Sequence, residues 1–193
     1  LDAGTTGVRV TQRAAYVNGQ GYFRLQWDVA NASGSTKAVD LYHAVDSYFA
    51  NDDYGRGYYD PSSGAVGGYT SSGPWFMLFV PTTPATAHQE GWYFEIWDGI
   101  GYCGDNQSCP VSGSCEAGPG FDNTIETSTE GVDAGFGLQW QRTIAAGAVT
   151  TVGDWWTFGS TPNIPGQSTS TPTPTFTPHP TDTPTRTPAA TFT

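Results

Sequence analysis

Positive charge is scarce in this chain. Seven Lys and Arg, with Lys37 the only lysine, stand against eighteen Asp and Glu, giving a net charge of −11. DNA or RNA would be repelled, so no nucleic-acid partner is expected, whereas cations, neutral glycans and basic partners stay open. The same acidity also serves solubility. No apolar run approaches the roughly 18 residues that span a bilayer, so neither a membrane span nor a signal peptide is expected, and a start at Leu1 fits a processed chain. A single Met beside 25 Gly disfavours a helical bundle and points to a β-rich fold. Catalytic signatures are missing too: there is no GxSxG, HExxH, P-loop or dinucleotide fingerprint. The three histidines, His43, His88 and His179, are scattered, and no pair of carboxylates stands out as a glycosidase pair. The expectation is a protein that is not an enzyme.

Cysteine is sparse and clustered. Cys103, Cys109 and Cys115 lie in a Gly/Ser/Pro-rich stretch without the CxxC pairs and fourth ligand of a zinc site, which fits one loop disulfide in an oxidising exterior. Equal spacing leaves the pairing open. The odd count leaves one thiol free, buried or bonded to another chain.

What is present is alternation. "VRVTQRAAYV" and "YFRLQWDV" flank the turn "NGQG" and predict a hairpin, with Phe23, Leu25, Trp27 and Val29 on one face of the second arm. Val39, Leu41, His43 and Val45 alternate with Asp40, Tyr42, Ala44 and Asp46, predicting a strand with a wet, acidic and aromatic face. "DPSSG" separates two short strands, and "WFMLFV" reads as a central strand covered on both sides. A short helix is expected over "AHQEGWYFEIWDGIG", capped by Thr86, with Trp92, Ile96 and Ile100 four apart. "FGLQWQRTI", "AAGA" and "VTTVGDWWTFG" predict a second hairpin in which Phe136, Leu138 and Trp140 share a face. The expected class is all-β, a mainly antiparallel β-sandwich, Ig-like or supersandwich-like, with one short helix.

Two units follow: a β domain over residues 1–160 and a Thr/Pro-rich stalk or linker over 161–193. From Thr161 onward 12 of 33 residues are Thr and 8 are Pro. Proline removes backbone donors and fixes φ, so an extended polyproline-like stalk is expected, its densest part from Ser168 to Thr193 reaching roughly 80 Å at about 3.1 Å per residue. Thr beside Pro favours O-glycosylation, with Thr171, Thr173, Thr175, Thr177, Thr181, Thr183, Thr185 and Thr187 as acceptors. Asn31 and Asn106 sit in N-x-S sequons.

The segments "VDLYHAVDSYFANDDYGRGYYDPSSGAVGG", "WFMLFVPTTPATAHQEGWY" and "GFGLQWQRTIAAGAVTTVGDWWTFG", with the Thr/Pro linker behind them, resemble secreted bacterial surface modules. The stretch "GLQWQRTIAAGAVTTV" is similar to hairpins of galactose-mutarotase-like β-sandwich domains. The resemblance covers most of residues 8–159. It implies a sandwich and an extracellular home, and carries no mutarotase activity, because no His/Glu set can be transferred.

Two candidate sites emerge. Asp46, Asp52, Asp53 and Asp60 offer hard oxygens suited to Ca²⁺, although their spacing departs from an EF-hand and Asp is also an ordinary turn residue. No other cofactor is expected. Tyr54, Tyr58, Tyr59 and Trp155 are candidates for a glycan-binding face, since flat rings beside carboxylates match the C–H faces and hydroxyls of sugars, with the core as the competing destination for such rings. Of Trp155 and Trp156, adjacent in a strand, one must be exposed or lie beneath a second layer. The function expected is a non-catalytic extracellular surface protein, self-assembling into a filament or displayed on its glycosylated stalk, with itself or surface glycans and proteins as partners. A carbohydrate-binding module on a linker is the alternative, and a glycan-active enzyme stands third.

Overall fold

The computed structural model describes residues 1–73, 75–101, 118–128 and 130–166. Nine strands and one helix occur among them: β1 (Val8–Tyr16), β2 (Tyr22–Asn31), β3 (Lys37–Asp46), β4 (Tyr54–Asp60), β5 (Ala65–Thr70), β6 (Phe76–Pro81), β7 (Ala87–Trp92), α1 (Tyr93–Ile100), β8 (Val132–Ile144) and β9 (Val149–Gly159). The named strands all pair antiparallel, in the order β1-β2-β9-β6-β5-β4-β8-β3, with β7 added to β8. The sheet curls into a half-barrel whose end strands, β1 and β3, do not pair.

Alternation decides which side of each strand faces the core. Leu25, Trp27 and Val29 are buried on β2, and the β1–β2 hairpin forms in the register Val8↔Asn31 through Tyr16↔Phe23. Leu25, Trp27, Val66, Met77, Phe79, Phe136, Leu138, Trp140 and Val152 make the main core. Full burial of side chains such as Phe79, Phe136 and Leu138 contributes about 1.5–3 kcal/mol each. Trp140 keeps its indole N–H satisfied by donating to Thr83 O at 2.8 Å. Strand β6 is central, between β9 and β5, and its continuous apolar run serves two layers: Met77 and Phe79 face the main core, Leu78 and Val80 the opposite side. There Ile164 closes over Leu78, Val80 and Ala65. Trp156 therefore packs inward and Trp155 lies under this second layer, so neither is fully exposed.

Three expectations change. The helix begins at Tyr93 rather than near Thr86, because Ala87–Trp92 is a strand paired with Gln139–Ala134 of β8. Thr86 is no cap: its N–H donates to Gln139 O and its Oγ1 accepts from Gln141 N–H. Gly91 weakens a helix here, and the side chains of His88 and Glu90 share the inner face that alternation gives them. Second, β8 and β9 do not pair with each other. The turn at 145–148 is a corner that carries the chain from β8, beside β3, to β9, between β2 and β6. Asn31 holds that corner: its Nδ2 donates to Ile144 O and Ala145 O at 2.9 and 3.1 Å, and its backbone bonds Gly147 and Ala148. Third, the face of β3 expected to be wet is partly covered, since Phe121 packs edge-on against Tyr42 at 5.3 Å and Ala44 lies against the same cluster, which includes Ile96 of α1.

Cys103, Cys109, Cys115, Asn106, His179 and the stalk threonines Thr171–Thr187 lie outside the described residues. No helix among the described residues is long and apolar enough to cross a membrane.

Candidate glycan and cation site

Four strand ends meet at one end of the half-barrel, and β8 is the common neighbour. Asp46 closes β3 opposite Gly135, Tyr54 opens β4 opposite Asp133, and Trp92 closes β7 opposite Ala134. The loop between β3 and β4 is pinned to this point. Ser47 donates from both N–H and Oγ to Ala134 O, at 2.8 and 2.6 Å. Phe49 and Asp52 exchange backbone hydrogen bonds around Ala50 and Asn51, whose φ values of 52° and 61° make a turn of the I′ kind. Asn51 suits that left-handed conformation. The turn returns the chain so that Asp53, whose carbonyl accepts from Ala134 N–H, lies beside Asp46 and Asp133.

Carboxylate oxygens of Asp46, Asp53 and Asp133 all lie within 4.8 Å of one another. Partial burial raises the Asp46 carboxyl above the ordinary range, and the Asp53 charge adds to it; burial and then the charges of Asp53 and Asp46 do the same to Asp133. A cation would remove that repulsion, and three hard oxygens suit calcium. Of the four aspartates expected to bind metal, Asp46 and Asp53 thus come together, and Asp133 joins them. Asp52 and Asp60 are turn caps. Asp52 Oδ1 accepts from Tyr54 N–H at 3.0 Å and Oδ2 from Ser72 Oγ at 2.9 Å, contacts that hold its carboxyl below the ordinary range. Asp60 accepts from Ser62 N–H at 3.0 Å and from Ser63 Oγ at 2.6 Å, tightening the DPSSG turn. Asp133, about eighty residues downstream, becomes a neighbour only through the β4–β8 register, so spacing gives no sign of it.

The four expected platform aromatics do not gather. Tyr54 alone is at the carboxylates, exposed at the start of β4. Tyr58 and Trp155 belong to the outer layer under Ile164, Tyr58 edge-on to Phe76 at 5.6 Å and Trp155 against Tyr22 at 5.2 Å. Tyr59 is on the other side of β4, stacked on His88 at 4.0 Å.

A different aromatic group sits at the carboxylates. Trp92 and Phe94 are 47% and 44% exposed, with centroids 4.9 Å apart, and Tyr93 contacts Phe94 at 4.2 Å. The strand ends at Trp92 and the helix starts at Tyr93, so three consecutive rings turn through more than one face and cannot all reach the core. Tyr93 backs onto Gly135, where a Cβ would come within 2.9 Å of its Cα, so glycine lets α1 seat on β8. Burial and then the charges of Asp133, Asp46 and Asp53 raise the Tyr93 hydroxyl, which ties this ring to the triad. The signal in the sequence was "WYF" itself, where a helix through 87–100 would have kept Trp92 on one face with Ile96.

No protein-family model matches the chain, and no curated protein is a significant match to it.

Proposed function

We propose that this chain is a non-catalytic, extracellular glycan-binding module carried on an O-glycosylated Thr/Pro stalk. The observation that carries the reading is the Trp92–Tyr93–Phe94 group, with Trp92 and Phe94 exposed and half-buried Tyr93 within reach of the converging carboxylates of Asp46, Asp53 and Asp133. Exposed rings stack on the apolar faces of sugars, and carboxylates, directly or through calcium, engage the hydroxyls. The fold reads as a sandwich variant, on the ground that β3–β8 faces the β2–β9–β6–β5 layer across one core. A glycan array followed by calorimetry on the leading glycan tests the function. Binding is expected in wild type and lost in Trp92→Ala. Equal binding by wild type and Trp92→Ala, or no glycan bound at all, overturns the reading.

A second reading, self-assembly at the surface, is favoured by the free edge of β1. Residues 11–16 are exposed, and Leu1 already pairs along the start of this edge, exchanging hydrogen bonds with Val10. Beside it, between β1 and β3, lies a groove of about 570 Å³ lined by Val10, Gln12, Trp27 and Leu41. Such an edge accepts another strand. Regular filaments under negative stain, lost on placing proline at Ala14, would support that reading; dispersed particles at high concentration would remove it.

A further inference from the structure

Among the described residues two carboxylates are buried that neither reading uses, Asp154, which meets His43 inside the core, and Glu90, which lines a cleft. Glu90 is 1% exposed on β7, facing the core side with Phe136 opposite it. Its Oε2 accepts from Glu126 N–H at 2.9 Å, while Oε1 has no hydrogen-bond partner. The strap 123–126 runs along the outer edge of β7, donating from Glu126 N–H to Glu90 O and accepting Glu90 N–H at Thr124 O. On the other side β4 comes so close that a Cβ at Gly57 would overlap Glu90 Oε2, which is why glycine stands there. An unpaired carboxylate atom in such a place costs free energy unless something meets it.

Glu90 lines a cleft of about 390 Å³, whose other walls include Glu95 of α1, Asp122 just before the strap and Glu126 within it. None of its lining residues is Lys or Arg. Glu126 Oε1 accepts from Ser128 N–H and Asp122 Oδ1 from Thr124 N–H and Oγ1, contacts that fix both carboxylates at the cleft wall. Among the described residues, the closely grouped carboxylates a small ion wants are Asp46, Asp53 and Asp133, whereas those around Glu90 are spread about a cavity of small-ligand size.

We infer that the Glu90 cleft binds an organic cation, an ammonium or guanidinium group seated against Glu90 Oε1 and flanked by Glu95, Glu126 and Asp122. The group comes either from a free polyamine or from a Lys or Arg side chain of a partner, and both offer several donors on a positive charge. Burial pushes the Glu90 carboxyl up to about 8, opposed by the Glu126 N–H and reinforced by the charges of Glu126 and Glu95, so a cation that favours the carboxylate displaces a proton as it arrives.

The test is calorimetry at pH 7 with spermidine and with N-acetyl-arginine amide, each in phosphate and in the zwitterionic buffer MOPS. Heats that differ between the two buffers report the proton released. Wild type is expected to bind at least one probe with release of close to one proton. Glu90→Gln should bind about 30-fold more weakly or worse and release none, as expected when one partner of a buried charge pair is removed. Glu130→Gln, an equal charge change at an exposed position outside the cleft, should match wild type. Glu95→Gln, at an exposed helix position, keeps the test decisive if Glu90→Gln does not fold, and should weaken binding severalfold. Spermidine alone binding assigns a free polyamine, and the arginine amide binding equally well assigns a side chain. No binding of either probe, equal binding by Glu90→Gln, or binding of calcium chloride alone in a Glu90-dependent way overturns the inference. Glycan binding is independent of every one of these outcomes.

Discussion

His43 Nδ1 lies 2.7 Å from Asp154 Oδ2 between the layers of the half-barrel, with the His43 ring stacked on Phe79 at 3.8 Å. Asp154 is fully buried, and that burial raises its carboxyl above the ordinary range while the His43 hydrogen bond acts in the opposite sense. Its Oδ1 has no partner. A pair of this kind is costly to break and less costly to replace whole. Asp154→Ala should lose about 3–5 kcal/mol in urea unfolding, and the double variant His43→Phe/Asp154→Leu should recover most of it. A double variant no more stable than the single one would mean that the pair itself stabilises the core.

Glu90 makes stability depend on pH. Burial pushes its carboxyl up to about 8 from an ordinary 4.5, the Glu126 N–H opposes this, and the charges of Glu126 and Glu95 add to it. Between those two values the folded chain holds a proton that the unfolded chain has released, so stability falls as pH rises through this window. The full contribution is on the order of 4–5 kcal/mol by pH 9. Glu90→Gln has no proton to lose. Its urea midpoint should therefore move less than that of wild type between pH 5 and pH 9, and exceed it at pH 9.

Asn31 occupies a sequon yet is 1% exposed, its amide donating to Ser35 O, Ile144 O and Ala145 O. The folded chain offers no access to that nitrogen. Expressed in a glycosylating host, the protein should carry no N-glycan at Asn31, as peptide mass mapping would show. Asn31→Ala removes the donor to two carbonyls at the β8–β9 corner, buried Ile144 O and part-buried Ala145 O, and to Ser35 O in the β2–β3 turn, and should cost about 2–4 kcal/mol in thermal or denaturant unfolding.

Alternation made much of the architecture readable. Phe23 to Val29, the DPSSG turn and the two-sided strand Phe76–Pro81 fold as their patterns predict, because period-two burial is a local property. Pairing between distant strands is not local. Nothing in "QRTIAAGAVTTV" distinguishes a hairpin from a corner, since the difference lies in Asn31, over a hundred residues upstream. The candidate site shows the same division. Asp46 and Asp53 were visible as clustered carboxylates, and Asp133 was hidden because only the β4–β8 register brings it to them. Asp52 and Asp60 looked like ligands for the reason that makes them good turn caps: a short side chain with two acceptors.

The three carboxylates at the strand ends give the last prediction. Asp46 and Asp133 are raised above the ordinary range by burial and then by the Asp53 charge, with Asp46 adding to Asp133, so the apo site holds repulsion that a divalent cation relieves. Calcium binding only the folded chain should stabilise it by about 2.7 kcal/mol at a hundredfold excess over Kd. Protons compete for the same oxygens, so the gain should shrink as pH falls through the raised carboxyl values. Terbium offers a direct reading, because Tyr54 and Tyr93 lie near enough to sensitise its emission. Emission should saturate with wild type, be displaced by calcium, and disappear in Asp53→Asn, the residue whose charge bears on both others. Asp60→Asn should leave it unchanged, since that side chain caps its own turn. Emission that survives Asp53→Asn would place the ion elsewhere and leave the carboxylates to meet sugar hydroxyls directly.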